Sequence, residues 1–136
     1  MSKRVQWDSR HSVGNQTLDE QHKAILAQCN ALADCLDQAS AESDKKFDEI
    51  FKDLMARARE HFAAEEALLT ACGYEGIDDH QSEQEEFNYL ADEIITTENF
   101  DKDELQTFLA LWWAGHVMGS AKSHRACLEQ QPANSN

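Results

Sequence analysis

The segment His61-Phe62-Ala63-Ala64-Glu65-Glu66 places an imidazole and a carboxylate four residues apart. In a helix that spacing puts them one turn apart on one face, able to aim at a common point. The apolar residues around them, Phe47, Ile50, Phe51, Leu54, Ala58, Phe62, Leu68, Leu69 and Cys72, recur at intervals of three and four. The helix is therefore amphipathic, with His61 and Glu65 on its core-facing stripe. A histidine and a carboxylate on such a stripe are costly unless they pair with each other or share a cation. Three more histidines lie on apolar stripes. His22 precedes Leu26 by one turn, His80 shares a stripe with Ile77, Gln84, Phe87, Leu90, Ala91 and Ile94, and His116 follows Leu105, Phe108, Leu109 and Trp112. Taken singly, each reads as a core histidine satisfied by a hydrogen bond.

The elements that must position these residues are four helices, over about 18–38, 44–72, 78–96 and 102–129 by apolar periodicity. Thr17 with Glu20 fits a capping box for the first, Ser43 or Asp44 can cap the second, and Asp101 with Glu104 can cap the fourth. Gly73 stands where a helix-ending glycine belongs. Short connections between long helices imply an all-α, up-down-up-down antiparallel four-helix bundle. An extended lead-in (1–17) carries Val5, Trp7 and Val13, which can lie across the bundle. The bundle occupies 18–129, and the polar tail 130–136 is expected to be disordered. His22 and His80 fall early in their helices; His61, Glu65 and His116 fall late. In an antiparallel bundle these positions share one end. Four unrelated core histidines would not be expected at one level, so a shared metal is the better reading. Nitrogen and carboxylate donors suit iron or zinc.

Composition narrows the alternatives. The chain has 136 residues and a formal net charge of −14, which argues against nucleic acid and against anionic membrane surfaces. No apolar run approaches the roughly 20 residues of a membrane span, and residues 1–14 lack the apolar core of a signal peptide. The expectation is an acidic cytoplasmic protein. Among Cys29, Cys35, Cys72 and Cys127 there is no CxxC pair. Cys29 and Cys72 occupy apolar helical positions, so buried free thiols and a reducing compartment are expected. No HExxH or Glu-x-x-His pair appears, which disfavours a zinc protease or a ferritin-like oxidase.

Val13-Gly14, Leu18-Asp19-Glu20-Gln21-His22-Lys23, Asn30, His61-Phe62 with Glu65-Glu66, Gly73-Tyr74, His80 with Phe87, and Trp112 with His116 together resemble a bacterial hemerythrin over about residues 7–128. The resemblance implies a bundle holding two oxo-bridged irons and binding dioxygen end-on at the open position of one of them. It implies that His22 and His61 hold the oxygen-binding iron, that Glu65 bridges, and that His80 and His116 belong to the other iron. Two positions depart from the family pattern. Gln84 stands where a second histidine of the third helix is expected, and Ala121 where a bridging aspartate is expected. Both losses fall on the second iron, so an altered di-iron centre or a single iron or zinc is implied, with dioxygen, another diatomic or a peroxide as ligand. The alternative is a degenerate bundle, metal-free or with one metal, acting as an interaction or signalling module with a protein partner; an enzymatic role is the less favoured. Ser120 and Glu83 lie beside the two changed positions without the family's geometry. His124, eight residues beyond His116 and so about 12 Å along a straight helix, reads as a solvent or partner histidine, as does His11. Trp113 reads as packing.

Overall fold

The computed structural model describes residues 3–38, 40–97 and 100–129. Four long helices, α1 (Gln16–Gln38), α2 (Ala41–Ala71), α3 (Ile77–Thr96) and α4 (Lys102–Ser123), are followed by a short α5 (Arg125–Glu129). Each long helix packs on the next, and α1 closes on α4. Residues early in α1 and α3 meet residues late in α2 and α4, as alternating antiparallel order requires. The bundle is as expected; the tail 130–136 lies outside the described residues.

The helix starts differ from the sequence reading in instructive ways. Asn15, not Thr17, caps α1: its Oδ1 accepts the Leu18 amide at 3.0 Å. Asparagine is at least as good a cap as threonine, and Glu20 lies near Lys23 rather than reaching back. Asp19 is turned outward from the helix, accepting the Ser12 hydroxyl at 2.6 Å and the Val13 amide at 2.9 Å. Ser40 caps α2 in a reciprocal box with Ser43, one turn before the expected start. Asp101 caps α4 as expected, but through the Asp103 amide and without Glu104. Gly73 terminates α2 at φ +72, a conformation that costs glycine nothing.

The lead-in does lie across the bundle. Asn30 exchanges a pair of hydrogen bonds with the Val5 backbone, at 2.9 and 2.7 Å. Fully buried Gln106 accepts the Lys3 amide at 2.7 Å and donates to the Cys29 carbonyl at 3.0 Å. Val5 and Trp7 pack on the main core, and Val13 is wholly buried.

Two apolar clusters flank the polar layer. The larger holds Ile25, Cys29 and Leu32 of α1, Phe47, Leu54, Ala58 and Phe62 of α2, Phe87 of α3, and Leu105, Leu109, Trp113 and Val117 of α4. Phe62 stacks on Trp113 with centroids 5.3 Å apart, so Trp113 packs as expected. The smaller cluster, Val13, Leu18, Leu69 and Leu128, closes the end of the bundle. The α3 stripe is thinner than its periodicity suggested, because Leu90 is exposed and only His80, Phe87 and Ala91 are buried.

Two expectations are overturned near that end. Cys72 is not a free thiol: it forms a disulfide with Cys127, 55 residues away, with Cα atoms 5.8 Å apart. Apolar position alone cannot distinguish a buried thiol from a buried disulfide, and the ground for a reducing compartment is removed. Cys29 and Cys35 are buried free thiols; burial pushes the Cys29 thiol up to about 12. The fourth helix does not continue smoothly to Glu129. It ends at Ser123, with His124 as its C-cap, before α5 begins.

Candidate metal centre

The four long helices each deliver one histidine to a single layer. His22 and His61 are fully buried, His80 and His116 nearly so, and Glu65 is fully buried among them. The Nε2 atoms of His22 and His61 are 3.0 Å apart, and those of His61 and His116 are 3.3 Å apart. Glu65 reaches every histidine of the layer. Its Oε1 accepts from His80 Nε2 at 2.6 Å and lies 3.2 Å from His116 Nε2. Its Oε2 lies 3.1 Å from His61 Nε2 and 3.7 Å from His22 Nε2. Donor atoms of His22, His61, Glu65 and His116 all fall within 4.8 Å of one another. Such a group can hold a cation.

Outer partners decide which nitrogens face inward. His61 Nδ1 donates to Gln21 Oε1 at 2.8 Å, and His116 Nδ1 donates to Glu83 Oε1 at 2.8 Å. With Nδ1 protonated in both rings, the neutral form of each presents an Nε2 lone pair to the other. Two lone pairs 3.3 Å apart repel unless a proton or a metal ion lies between them. Binding Nδ1–H to a carboxylate or amide oxygen while Nε2 faces the ion is the usual arrangement of a ligating histidine. The donor set therefore fits a metal.

The electrostatics of the metal-free chain express the same demand. Burial lowers His61 to about 4, against the pull of Glu65, and lowers His22 as well. Burial opposes the charged form of His116 too. There the charge of Glu65, its hydrogen bond and the bond to Glu83 win, raising His116 to about 9. Burial would raise Glu65, but the charge and hydrogen bond of His116 hold it well below the usual carboxylate range. The surroundings of His116 thus favour a positive charge within the layer.

All five residues expected at the site are brought together. Of the two changed positions, Gln84 is half-buried and its side chain has no hydrogen-bond partner among the described residues. Ser120, beside Ala121, is buried and places Oγ 3.4 Å from His116 Nε2. Glu83 acts as an outer partner of His116 rather than as a replacement for position 84.

His124 departs most from the sequence reading. It is not a solvent histidine but is 7% exposed, with Nδ1 4.0 Å from Glu65 Oε2 and its ring 5.9 Å from that of His80. A straight helix would keep His124 away from any ion held by His116. The layer is elongated instead, and Glu65 lies between the two. The signal that could have found it is its register, two turns beyond His116 on the same face of the helix.

A cavity of about 510 Å3 opens onto this side of the layer between α3 and α4. His80, His116, Ser120 and His124 line its floor, with Asp79 and Glu83 toward solvent. Trp112 stacks on His116 at 5.3 Å along the same wall, and Trp113 meets the His116 ring edge-on at 5.2 Å from the core side, so both touch the site.

A helical bundle whose helices each contribute an inward histidine around one buried carboxylate defines a class, the four-helix proteins with a metal-binding core. Residues 13–122 match the family described as Hemerythrin HHE cation binding domain. The chain is 30% identical over 122 residues to the hemerythrin-like proteins of Naegleria gruberi and Naegleria fowleri, covering 90% of this chain and 92% of each relative. It is 27% identical over 114 residues to a bacteriohemerythrin of Pseudomonas aeruginosa, covering 82% of this chain and 72% of that protein. No solved structure is significantly similar. The chain belongs to the hemerythrin family. With relatives in both Naegleria and Pseudomonas, the bacterial branch is not singled out. Among the described residues, no helix is long and apolar enough to cross a membrane.

Proposed function

We propose that this protein binds non-heme iron in an altered hemerythrin-type centre and takes dioxygen, another diatomic or a peroxide as its small ligand. His22, His61, Glu65, His80 and His116 would hold the metal. The single observation that carries this reading is the convergence of the His22, His61 and His116 Nε2 atoms on Glu65, with the Nδ1 sides of His61 and His116 engaged by Gln21 and Glu83. When bound, iron would supply redox chemistry and an open position for a small ligand. The protein residues do the rest. Glu65 supplies negative charge that can be shared between two ions. Gln21 and Glu83 fix ring orientation. Phe62, Trp113 and Ile25 keep water from the inner side, and the cavity at α3 and α4 leaves the outer side accessible.

A metal-free interaction module is the competing reading, and one observation favours it. His80 and His116 already pair with Glu65 at 2.6 and 3.2 Å, so the acid is not left without partners when no ion is present. The two readings part on metal content. Protein produced with iron is expected to retain it through desalting, to show an oxo-to-iron absorption band in air, and to lose thermal stability on chelation. A colourless protein whose metal content is negligible and whose melting is indifferent to chelator would leave only the interaction reading.

A further inference from the structure

We propose that His124 is a metal ligand, donating Nδ1 to an ion that it shares with Glu65 on the side of the layer that faces α3. The proposal rests on the reading of the layer as a metal centre. It goes beyond that reading in assigning a sixth protein ligand, from a position outside the family pattern.

Four observations support it. First, the Nδ1 of His124 and the Oε2 of Glu65 are 4.0 Å apart, both buried, and neither has an aligned hydrogen-bond partner among the described residues. Two ligands each about 2.1 Å from one ion stand roughly 3–4 Å apart, depending on geometry. The observed separation suits a shared ion and is too long for a direct hydrogen bond. Second, Gln84 leaves the α3 side one imidazole short, and the ring of His124 stands beside that of His80. Third, the position of His124 is built. Its ring packs edge-on against Tyr74 at 4.9 Å, its carbonyl accepts the Leu128 amide at 3.0 Å, and the Cys72–Cys127 disulfide anchors the segment to the end of α2. Fourth, the cavity floor presents His80, His116 and His124 together, with space for water to fill any remaining position. A solvent histidine would need none of these features.

The test uses the full chain with its disulfide intact, loaded anaerobically with excess ferrous iron and desalted. Metal per chain is counted, and melting is followed with and without chelator. The expected result is two ions in the parent protein, one in His124→Ala, and recovery of the second in His124→Ala combined with Gln84→His. His124→Asn serves as the second variant where alanine disturbs the packing on Tyr74. The melting temperature of each chelated variant reports its fold independently of the metal. Parental metal content in both His124 variants would overturn the proposal while leaving the metal-centre reading standing. Absence of metal from the parent protein would instead overturn the metal-centre reading, and the role of His124 with it.

Discussion

Glu65 is fully buried and meets His61, His80, His116 and, at longer range, His22 and His124. Substituting Glu65→Gln keeps the size and removes the charge. It leaves protonated His116 without its main counter-charge, a loss of the kind that costs about 3–5 kcal/mol when one partner of a buried pair is removed. The metal-free variant should therefore melt well below the parent, and iron uptake should be abolished. Unchanged melting would mean that His116 is not charged in the bundle. Glu83 offers a milder test. It orients His116 through Nδ1, so Glu83→Ala should weaken metal affinity by about 10–100-fold, read by competition with a chelator. At this scale the sequence was informative where residue type and helical period coincided. His22, His61, Glu65, His80 and His116 could be found because a polar residue on an apolar stripe demands a reason. Glu83 and Gln21 could not, since they lie off the stripe and act only through the rings they orient.

At the scale of elements, the periodicity of each helix predicted its buried face but not how the fourth helix ends. An α4 running unbroken to Glu129 would treat Cys127 and Leu128 as ordinary positions. The structure turns the segment at His124 and uses Cys127 to join it to Cys72. No local rule pairs cysteines 55 residues apart; the pairing follows from the antiparallel order that brings the ends of α2 and α4 together. Closing a loop of that length is worth about 4 kcal/mol in the chain-entropy model. Cys127→Ser should accordingly lower the melting temperature by several degrees. Its effect on the site is separable, because the bond holds the segment that carries His124, whereas His22 lies on α1 and His61 lies within α2, well before its Cys72 end. Iron bound by the His22 and His61 side should survive the substitution, while the α3 side should lose affinity. Equal loss on both sides, seen as uniform release of metal, would show that the disulfide supports the whole bundle end and not His124 in particular. The turn after α2 carries its own prediction. Gly73 sits at φ +72 with open space where a Cβ would go, so Gly73→Ala should cost about 1 kcal/mol from backbone strain alone, measured by denaturant melting.

For the whole molecule, the formal charge of −14 and the buried layer act on stability in different ways. The surface acids repel one another, which salt relieves; the layer is out of reach of salt and responds to protons. In the metal-free chain His61 is lowered to about 4 and His22 is also lowered, chiefly by burial. The unfolded chain binds protons at these residues below about 6.5, before the folded chain does. Stability contributed by keeping them neutral is therefore present above about 6.5 and is lost as the pH falls toward 4. His116 has the opposite sign. It is raised to about 9 by Glu65 and Glu83 against the effect of burial, so its contribution is complete below about 6.5 and disappears as the pH climbs through 9. The depressed Glu65 adds stability above the ordinary carboxylate range that is lost in acid. The metal-free protein should thus be most stable near pH 6.5, with melting temperatures falling on both sides. A bound cation changes the alkaline limb, because it replaces the proton of His116 and loses nothing when protons become scarce. Melting curves from pH 4 to 10, with and without iron, should converge toward pH 4, where protons displace the ion from its histidines, and should be furthest apart on the alkaline side. The iron-loaded protein should hold its stability where the metal-free one declines. Parallel alkaline declines would show that the ion does not occupy the position of that proton.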